Sequence, residues 1–217
     1  MNKKIVTILL VSFLILSAII IWLLYTLNYI PHRKYSNEVF NIKTYTSSMD
    51  KDNDGIDDQT DILNSVREYI ETKPKYKSKY YASGYPDDEY GVCTDIVAFG
   101  FKGAGYDLME LVNEDIKNNR NNYNIDIIDK NIDFRRVQNL KIYFENNAIS
   151  LTTDVYDIEN WQGGDIVIFQ NHIGIVSNNR NKDGVTFIIH HANPLQKYYE
   201  EDILESRNDI IGHYRMS

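Results

Sequence analysis

The sequence has little cysteine, little positive charge and no second long apolar run. One cysteine in 217 residues excludes an internal disulfide. Hydrophobic residues make up 43% of the chain and charged residues 25%, proportions that exclude a disordered, a collagen-like or a polytopic membrane protein. The length allows one folded domain plus a short accessory segment.

Basic residues are scarce beyond the N-terminus. The first 34 residues carry four basic side chains and no acidic one, whereas residues 35–217 carry 19 basic and 31 acidic side chains, a net charge of −12. Phosphate binding requires clustered lysine and arginine. The sequence therefore predicts no nucleic-acid partner.

The N-terminal segment is long and apolar. Residues 5–24 carry no charge, and the uncharged run continues to Pro31. Such a helix spans a bilayer core of about 30 Å. A cleaved signal peptide is the alternative, because Lys3 and Lys4 precede the run, but its apolar core would be shorter and followed by a small-residue cleavage site. We expect residues 1–30 to be a single anchor in the lipid bilayer of the cell membrane, with the following domain extracytoplasmic.

Hydrophobic periodicity divides the rest of the chain. Residues 31–49 have no sustained period and are predicted to be a linker. Helical spacing predicts helices from residue 62 to about 73, from Cys93 to Gly103 or Gly105, and from Leu108 to Asn118, with loops at 74–92 and 118–131. Short β-branched or aromatic runs predict strands at 165–169, 172–177, 185–191 and 210–216. Helices first and strands later indicate an α+β domain at 62–217 with an antiparallel sheet.

Residues 50–61 have the spacing of an EF-hand calcium loop. Alternate carboxylates converge on one ion, a glycine, here Gly55, permits the sharp turn, and a helix follows. The predicted ligands of a structural Ca²⁺ stand at positions 1, 3, 5, 7, 9 and 12 of the loop: Asp50, Asp52, Asp54, Ile56, Asp58 and Asp61. Position 12 is aspartate where an EF-hand has glutamate. The alternative is a solvated acidic linker.

The lone cysteine is a candidate reactive thiol. In an exported domain it is otherwise buried and inert or paired between molecules. Cys93 begins the second predicted helix, where free N–H groups and the helix dipole lower a thiol pKa. A hairpin between two predicted strands brings His172 and His190 near one another, as base and orienting group. His191 faces the other side of its strand, so we choose His190 as the third residue.

Five short motifs follow one another along the chain. They are Tyr81-Ala-Ser-Gly84, Gly91-Val-Cys93-Thr-Asp95, Gly164-Asp165-Ile-Val, His172-Ile-Gly174-Ile-Val and Ile189-His190. This succession resembles the NlpC/p60 peptidases and amidases of the papain-like superfamily. It is most similar to a subgroup catalogued as a domain of unknown function, DUF1287, whose further blocks match residues 131–137 and 212–215. The resemblance covers about residues 60–217.

The resemblance implies a papain-like fold and a catalytic set. Cys93 would be the nucleophile, His172 the general base and acid, and His190 the polar third residue. Tyr81 matches a tyrosine that assists at the oxyanion site in the superfamily. No cofactor is implied for catalysis, and the substrate class would be peptidoglycan stem peptides.

Two arginines and one aspartate have further expected roles. Arg135 and Arg136 are candidate ligands for a substrate carboxylate, because a guanidinium is a planar bidentate fork. A structural ion pair with Asp133 or Asp129 is the alternative. Asp95 is expected to cap the helix that begins at Cys93.

Three functions remain open on the sequence. The leading hypothesis is a membrane-anchored extracytoplasmic cysteine hydrolase that cleaves an amide in peptidoglycan. A zinc site built from Cys93, His172 and His190 is the second. The third is a non-catalytic, calcium-dependent wall-binding module. The sequence does not indicate an oligomeric state.

Overall fold

The N-terminal apolar segment is a single helix. The computed structural model describes residues 3–216, and helix α1 covers Lys3–Thr26. None of its residues is buried. By length and composition it is able to cross a membrane.

The segment after α1 differs from the predicted free linker. Tyr35 forms a bridge with Arg180, and residues Asn37–Phe40 form a short 3-10 helix. The buried Arg180 side chain donates Nε to Asn37 Oδ1 at 2.6 Å. Ile42 is buried as well. Part of residues 31–49 therefore lies on the domain, because a polar contact across 143 residues of sequence holds it there.

Five helices follow this segment. They are α2 (Asp58–Glu71), α3 (Cys93–Gly103), α4 (Leu108–Asn118), α5 (Lys130–Asp133) and α6 (Val137–Asn147). The structure confirms the predicted helices at α2, α3 and α4, whereas α5 and α6 were not predicted. Glycine lets α2 and α3 approach closely, since a Cβ at Gly100 would lie 2.4 Å from Val66 Cγ2.

The strands form two sheets of different size. β1 (Lys75–Tyr76) and β2 (Tyr90–Gly91) make a short parallel pair within the predicted loop. The larger sheet is antiparallel, in the order β3-β8-β4-β5-β6-β7. Its strands are β3 (Ile149–Ser150), β4 (Ile166–Phe169), β5 (His172–Arg180), β6 (Thr186–Ile189), β7 (Glu200–Glu201) and β8 (Ile210–Arg215). The predicted α+β class with a C-terminal antiparallel sheet is confirmed.

Both faces of this sheet are covered. One face packs on the helices through a core that includes Ile166, Ile168, Ile173, Ile175 and Ile189. The other face packs on the segments that precede β4 and β8, through Trp161, Val167, Phe169, Val176, Ile188 and Leu204. This alternation is why each short strand reads as a nearly continuous apolar run in the sequence.

A buried carboxylate joins the sheet to helix α2. Asp165 immediately precedes β4 and is fully buried. It accepts two hydrogen bonds from Arg215 at 2.7 Å and one from His213 Nε2 at 3.0 Å. Gln59 Nε2 and the Gln162 backbone N–H each donate to it at 2.8 Å. One side chain thus connects β4, β8 and the first turn of α2.

Candidate functional site

Cys93 is the first residue of α3, and a buried ion pair fixes this end of the helix. Asp95 Oδ2 accepts the Val92 N–H at 2.8 Å, so Asp95 caps the helix as expected. Arg135 holds the same carboxylate with Nε at 2.6 Å and Nη2 at 2.9 Å, and both side chains are buried. Arg135 Nη1 also donates to the Lys79 carbonyl at 2.6 Å. The loop before the helix and the turn before α6 are thereby tied to the start of α3.

The structure corrects the expected role of Arg135. All three nitrogens of its guanidinium donate to Asp95 or to the Lys79 carbonyl, so Arg135 is not available for a substrate carboxylate. Arg136 is half exposed, with Nη1 3.7 Å from Asp133 Oδ1. The guanidinium nearest in effect to the histidines is that of Arg207: burial lowers the pKa of both His172 and His190, and the charge of Arg207 adds to this lowering.

The two histidines meet across the hairpin formed by β5 and β6. His172 is the first residue of β5, and His190 directly follows β6, the strand that pairs with β5. His172 Nε2 lies 2.9 Å from His190 Nδ1. Gly174 permits this approach, since a Cβ there would lie 3.2 Å from His190 Cβ.

A glutamate extends the pair to a chain of three side chains. His190 Nε2 lies 3.0 Å from Glu201 Oε2, on the short edge strand β7. His191 packs edge-on against Tyr76 and Tyr199, and its Nδ1 has no hydrogen-bond partner within residues 3–216. The structure therefore joins His190, not His191, to His172. Glu201 was not predicted, and only its position on an edge strand opposite the predicted histidine strand could have indicated it.

The thiol lies beside the start of β5, near Ile173, the residue that follows His172. β6 pairs with β5 only from Ile175 onward, and the backbone N–H of Ile173 acts on the Cys93 sulfur. Ile173 packs with the helices, so alternation along β5 directs His172 toward the other side of the sheet. No hydrogen bond joins Cys93 to an imidazole within the described residues. The thiol and the imidazole thus flank one edge without touching.

Burial keeps these groups neutral. It raises the pKa of the Cys93 thiol to about 11, and the N–H groups of Ile173 and Thr94 oppose this rise only in part. This corrects the expectation that the helix start lowers the pKa of the thiol. Burial likewise lowers the pKa of His172 and of His190 to about 3. The free protein therefore holds a thiol and neutral imidazoles at neutral pH.

Tyr81 is engaged by its own loop. Its hydroxyl donates to Asp88 Oδ1 at 2.8 Å, and the Arg135 guanidinium lies 5.0 Å from its ring centroid. Burial, followed by this hydrogen bond, raises the pKa of Tyr81. An oxyanion role for Tyr81 requires its hydroxyl to leave Asp88.

The proposed zinc ligands do not converge. Within residues 3–216, the side chains grouped closely enough to hold a metal ion are Asp50, Asp52 and Asp54. His172 and His190 instead use facing nitrogens on each other. This arrangement gives no support to a zinc site at Cys93.

The acidic loop has only part of the predicted ligand set. One oxygen from each of Asp50, Asp52 and Asp54 lies within 4.8 Å of the others. Asp58 is occupied differently, because its Oδ1 accepts the Lys51 N–H at 2.7 Å and its Oδ2 accepts the Tyr106 hydroxyl. Asp58 is thus a structural residue of the loop rather than a ligand.

Comparisons with known proteins identify one family. A family model described as a domain of unknown function, DUF1287, matches residues 63–216. The uncharacterized protein YijF of Escherichia coli (strain K12) is 34% identical over 151 residues, which cover 65% of this chain and 72% of that protein. No solved structure gives a significant match.

The neutral thiol predicts how Cys93 reacts with an alkylating agent. Alkylation requires thiolate, so its rate should rise about tenfold per pH unit from pH 7 to about 10. Measurement is by mass spectrometry of the full-length chain with iodoacetamide over this range. Replacing His172 with glutamine should leave the profile unchanged, because the imidazole does not contact the sulfur. A plateau below pH 8 would contradict the prediction.

The buried ion pair predicts different effects for two adjacent arginines. Arg135→Met leaves the Asp95 carboxylate buried without its partner and should lower the free energy of unfolding by about 3–5 kcal/mol. Arg136→Met removes an exposed charge and should change it by less than about 0.5 kcal/mol. Urea unfolding followed by circular dichroism measures both. Equal effects would show that the bidentate pair does not hold this region.

Proposed function

The chain belongs to the DUF1287 family, and from this premise we propose that it is a cysteine hydrolase that cleaves an amide bond. The observation that carries the proposal is the hydrogen-bonded chain from His172 through His190 to Glu201. His172, at one end of this chain, is followed in sequence by Ile173, whose backbone N–H acts on the Cys93 thiol. Together these groups supply a nucleophile, a base and an orienting network.

Ionised Glu201 sets the direction of the hydrogen bonds. A carboxylate only accepts, so it receives the Nε2 proton of His190. His190 Nδ1 is then a lone pair and accepts the Nε2 proton of His172. This leaves a lone pair on His172 Nδ1, the nitrogen not used by His190. The network therefore prepares His172 as a general base.

The reaction proceeds through a thioester. In the substrate complex His172 turns Nδ1 toward the sulfur and takes its proton, and the sulfur attacks the amide carbonyl. Collapse of the tetrahedral intermediate breaks the C–N bond, and His172 returns the proton to the departing amine. Water then loses a proton to His172, attacks the thioester and releases the acid, with the proton returning to sulfur. Neutral starting groups make proton transfer part of the attack rather than a step before it.

Backbone N–H groups are placed to stabilise the developing oxyanion. Cys93 occupies the first position of α3, where the N–H groups have no partner within the helix. Helix N-termini attract negative charge. The Asp95–Arg135 pair fixes this end of α3, so the N–H groups are positioned before the substrate binds.

A papain-like arrangement and an extracytoplasmic location are part of the proposal. The nucleophile begins a helix that packs on an antiparallel sheet, and the base begins a strand of that sheet. Helix α1 is long and apolar enough to anchor the domain at a membrane. With the resemblance to NlpC/p60 enzymes, these features favour peptidoglycan stem peptides as the substrate class.

Digestion of muropeptides tests the proposal. Full-length protein in detergent micelles should release new peptide fragments, detected by mass spectrometry, and Cys93→Ala should release none. His190→Gln should lower the rate at least about 100-fold, because it disrupts the orienting network. His191→Gln is the matched control and should retain activity. Binding of muropeptides with no product from the parent chain would instead identify a binding module.

The hydrogen-bond direction predicts a pH dependence. Burial raises the pKa of Glu201 to about 7, and His32 opposes this rise in part. Protonated Glu201 would donate to His190 and reverse the chain, so that His172 Nδ1 carries a proton and cannot act as base. The value of kcat/KM should therefore fall as the pH drops through about 7. Glu201→Gln should lower the rate at least about tenfold and remove this limb, because an amide does not titrate there.

A further inference from the structure

The acidic loop at residues 50–61 carries six aspartates against one lysine, Lys51, whose Nζ lies over the Tyr106 ring. The closest carboxylate oxygens of Asp50, Asp52 and Asp54 lie within 4.8 Å of one another. Backbone N–H groups of Asp54 and Gly55 donate to Asp50 at 3.1 and 3.0 Å, which bends the loop around these oxygens. Like charges this close repel one another unless a cation lies between them.

A second observation concerns a buried carboxylate below this group. Asp61 is 6% exposed, and its Oδ2 is buried with no hydrogen-bond partner within residues 3–216. Asp61 lies in the first turn of α2 and is the twelfth residue of the loop, the position that supplies the last ligand in an EF-hand. Burying a carboxylate without a partner costs free energy, and a bound metal ion would supply the missing partner.

We infer that this loop binds one Ca²⁺ through carboxylate oxygens of Asp50, Asp52, Asp54 and Asp61 and the backbone carbonyl of Ile56. Calcium accepts six to eight oxygen ligands in a flexible arrangement, whereas Mg²⁺ requires a compact octahedron and retains water. Four carboxylates and a carbonyl on one short loop match the first preference. The short Asp61 side chain at position 12 leaves coordination to be completed by water.

The loop also contacts the end of the helix that carries Cys93. A Cβ at Gly105 would lie 3.0 Å from Asp52 Cβ, so the loop packs directly on the turn after α3. Asp58 accepts the hydroxyl of Tyr106 and the N–H of Lys51, which closes the loop against the same turn. Bound calcium would hold the first turn of α2 and the end of α3 together, and its expected effect is on stability.

The inferred site lies outside the family match. The DUF1287 model begins at residue 63, after Asp61. The site therefore lies N-terminal to the residues that the family model matches. It is also independent of the proposed hydrolase, because none of its ligands contacts the thiol or the histidines.

Calcium titration of the full-length chain tests the inference. Protein in detergent micelles is stripped with a chelator and titrated with CaCl₂ in a calorimeter. We expect one saturable site per chain, with a dissociation constant of about 10⁻⁴–10⁻³ M, as in extracellular calcium modules. At about 10 mM Ca²⁺ the melting temperature should rise by about 3–10 °C, and MgCl₂ at the same concentration should have a smaller effect.

Two substitutions separate a metal ligand from a structural carboxylate. Asp61→Asn keeps the side-chain shape and removes the buried charge. It should abolish the calcium-induced rise while leaving the melting temperature without calcium unchanged or higher. Asp126→Asn is the control, because that exposed carboxylate has no hydrogen bond in the described residues, and it should keep the full rise.

Absence of saturable binding, an equal response to Mg²⁺, or an undiminished calcium effect in Asp61→Asn would overturn the inference. Each readout is independent of catalysis.

Discussion

The buried carboxylate of Asp165 is the contact on which the arrangement of the domain depends. It precedes the central strand β4 and receives hydrogen bonds from β8 and from α2. The positive charge of Arg215 compensates the buried negative charge of Asp165. Removing either side chain would leave the other charge uncompensated in the interior. Because β4 pairs with both β5 and β8, this one network fixes the sheet that presents His172. It also fixes the helix that packs beside α3.

A second buried pair does the same for Cys93. Asp95 and Arg135 link the start of α3 to the Lys79 carbonyl and to the turn before α6. The thiol is therefore held on one element and the histidines on another. The proposed reaction requires both elements to meet the substrate beside β5.

Local signals in the sequence identify much of this arrangement. The bounds of α4 match the prediction, and α3 begins at Cys93 and ends at Gly103, because periodicity and glycine act within a few residues. The predicted hairpin between the strands at 172–177 and 185–191 was enough to place His172 near His190. Other partners lie far away in sequence. Arg135 meets Asp95 across 40 residues, and Glu201 reaches His190 after an irregular loop, so no periodic pattern identifies either contact.

Desolvation explains why the local argument for a reactive thiol is incomplete. A helix start favours thiolate, but this one is covered by the sheet, and burial outweighs the N–H groups that contact the sulfur. The same burial keeps His172 neutral, so an ion pair is not the ground state of the free protein. In the proposed reaction, the ability of His172 to act as a base depends on which of its nitrogens carries the proton. The carboxylate of Glu201 would determine this through the two hydrogen bonds of the chain. A sequence shows which groups can react, whereas their protonation depends on which surfaces the fold buries around them.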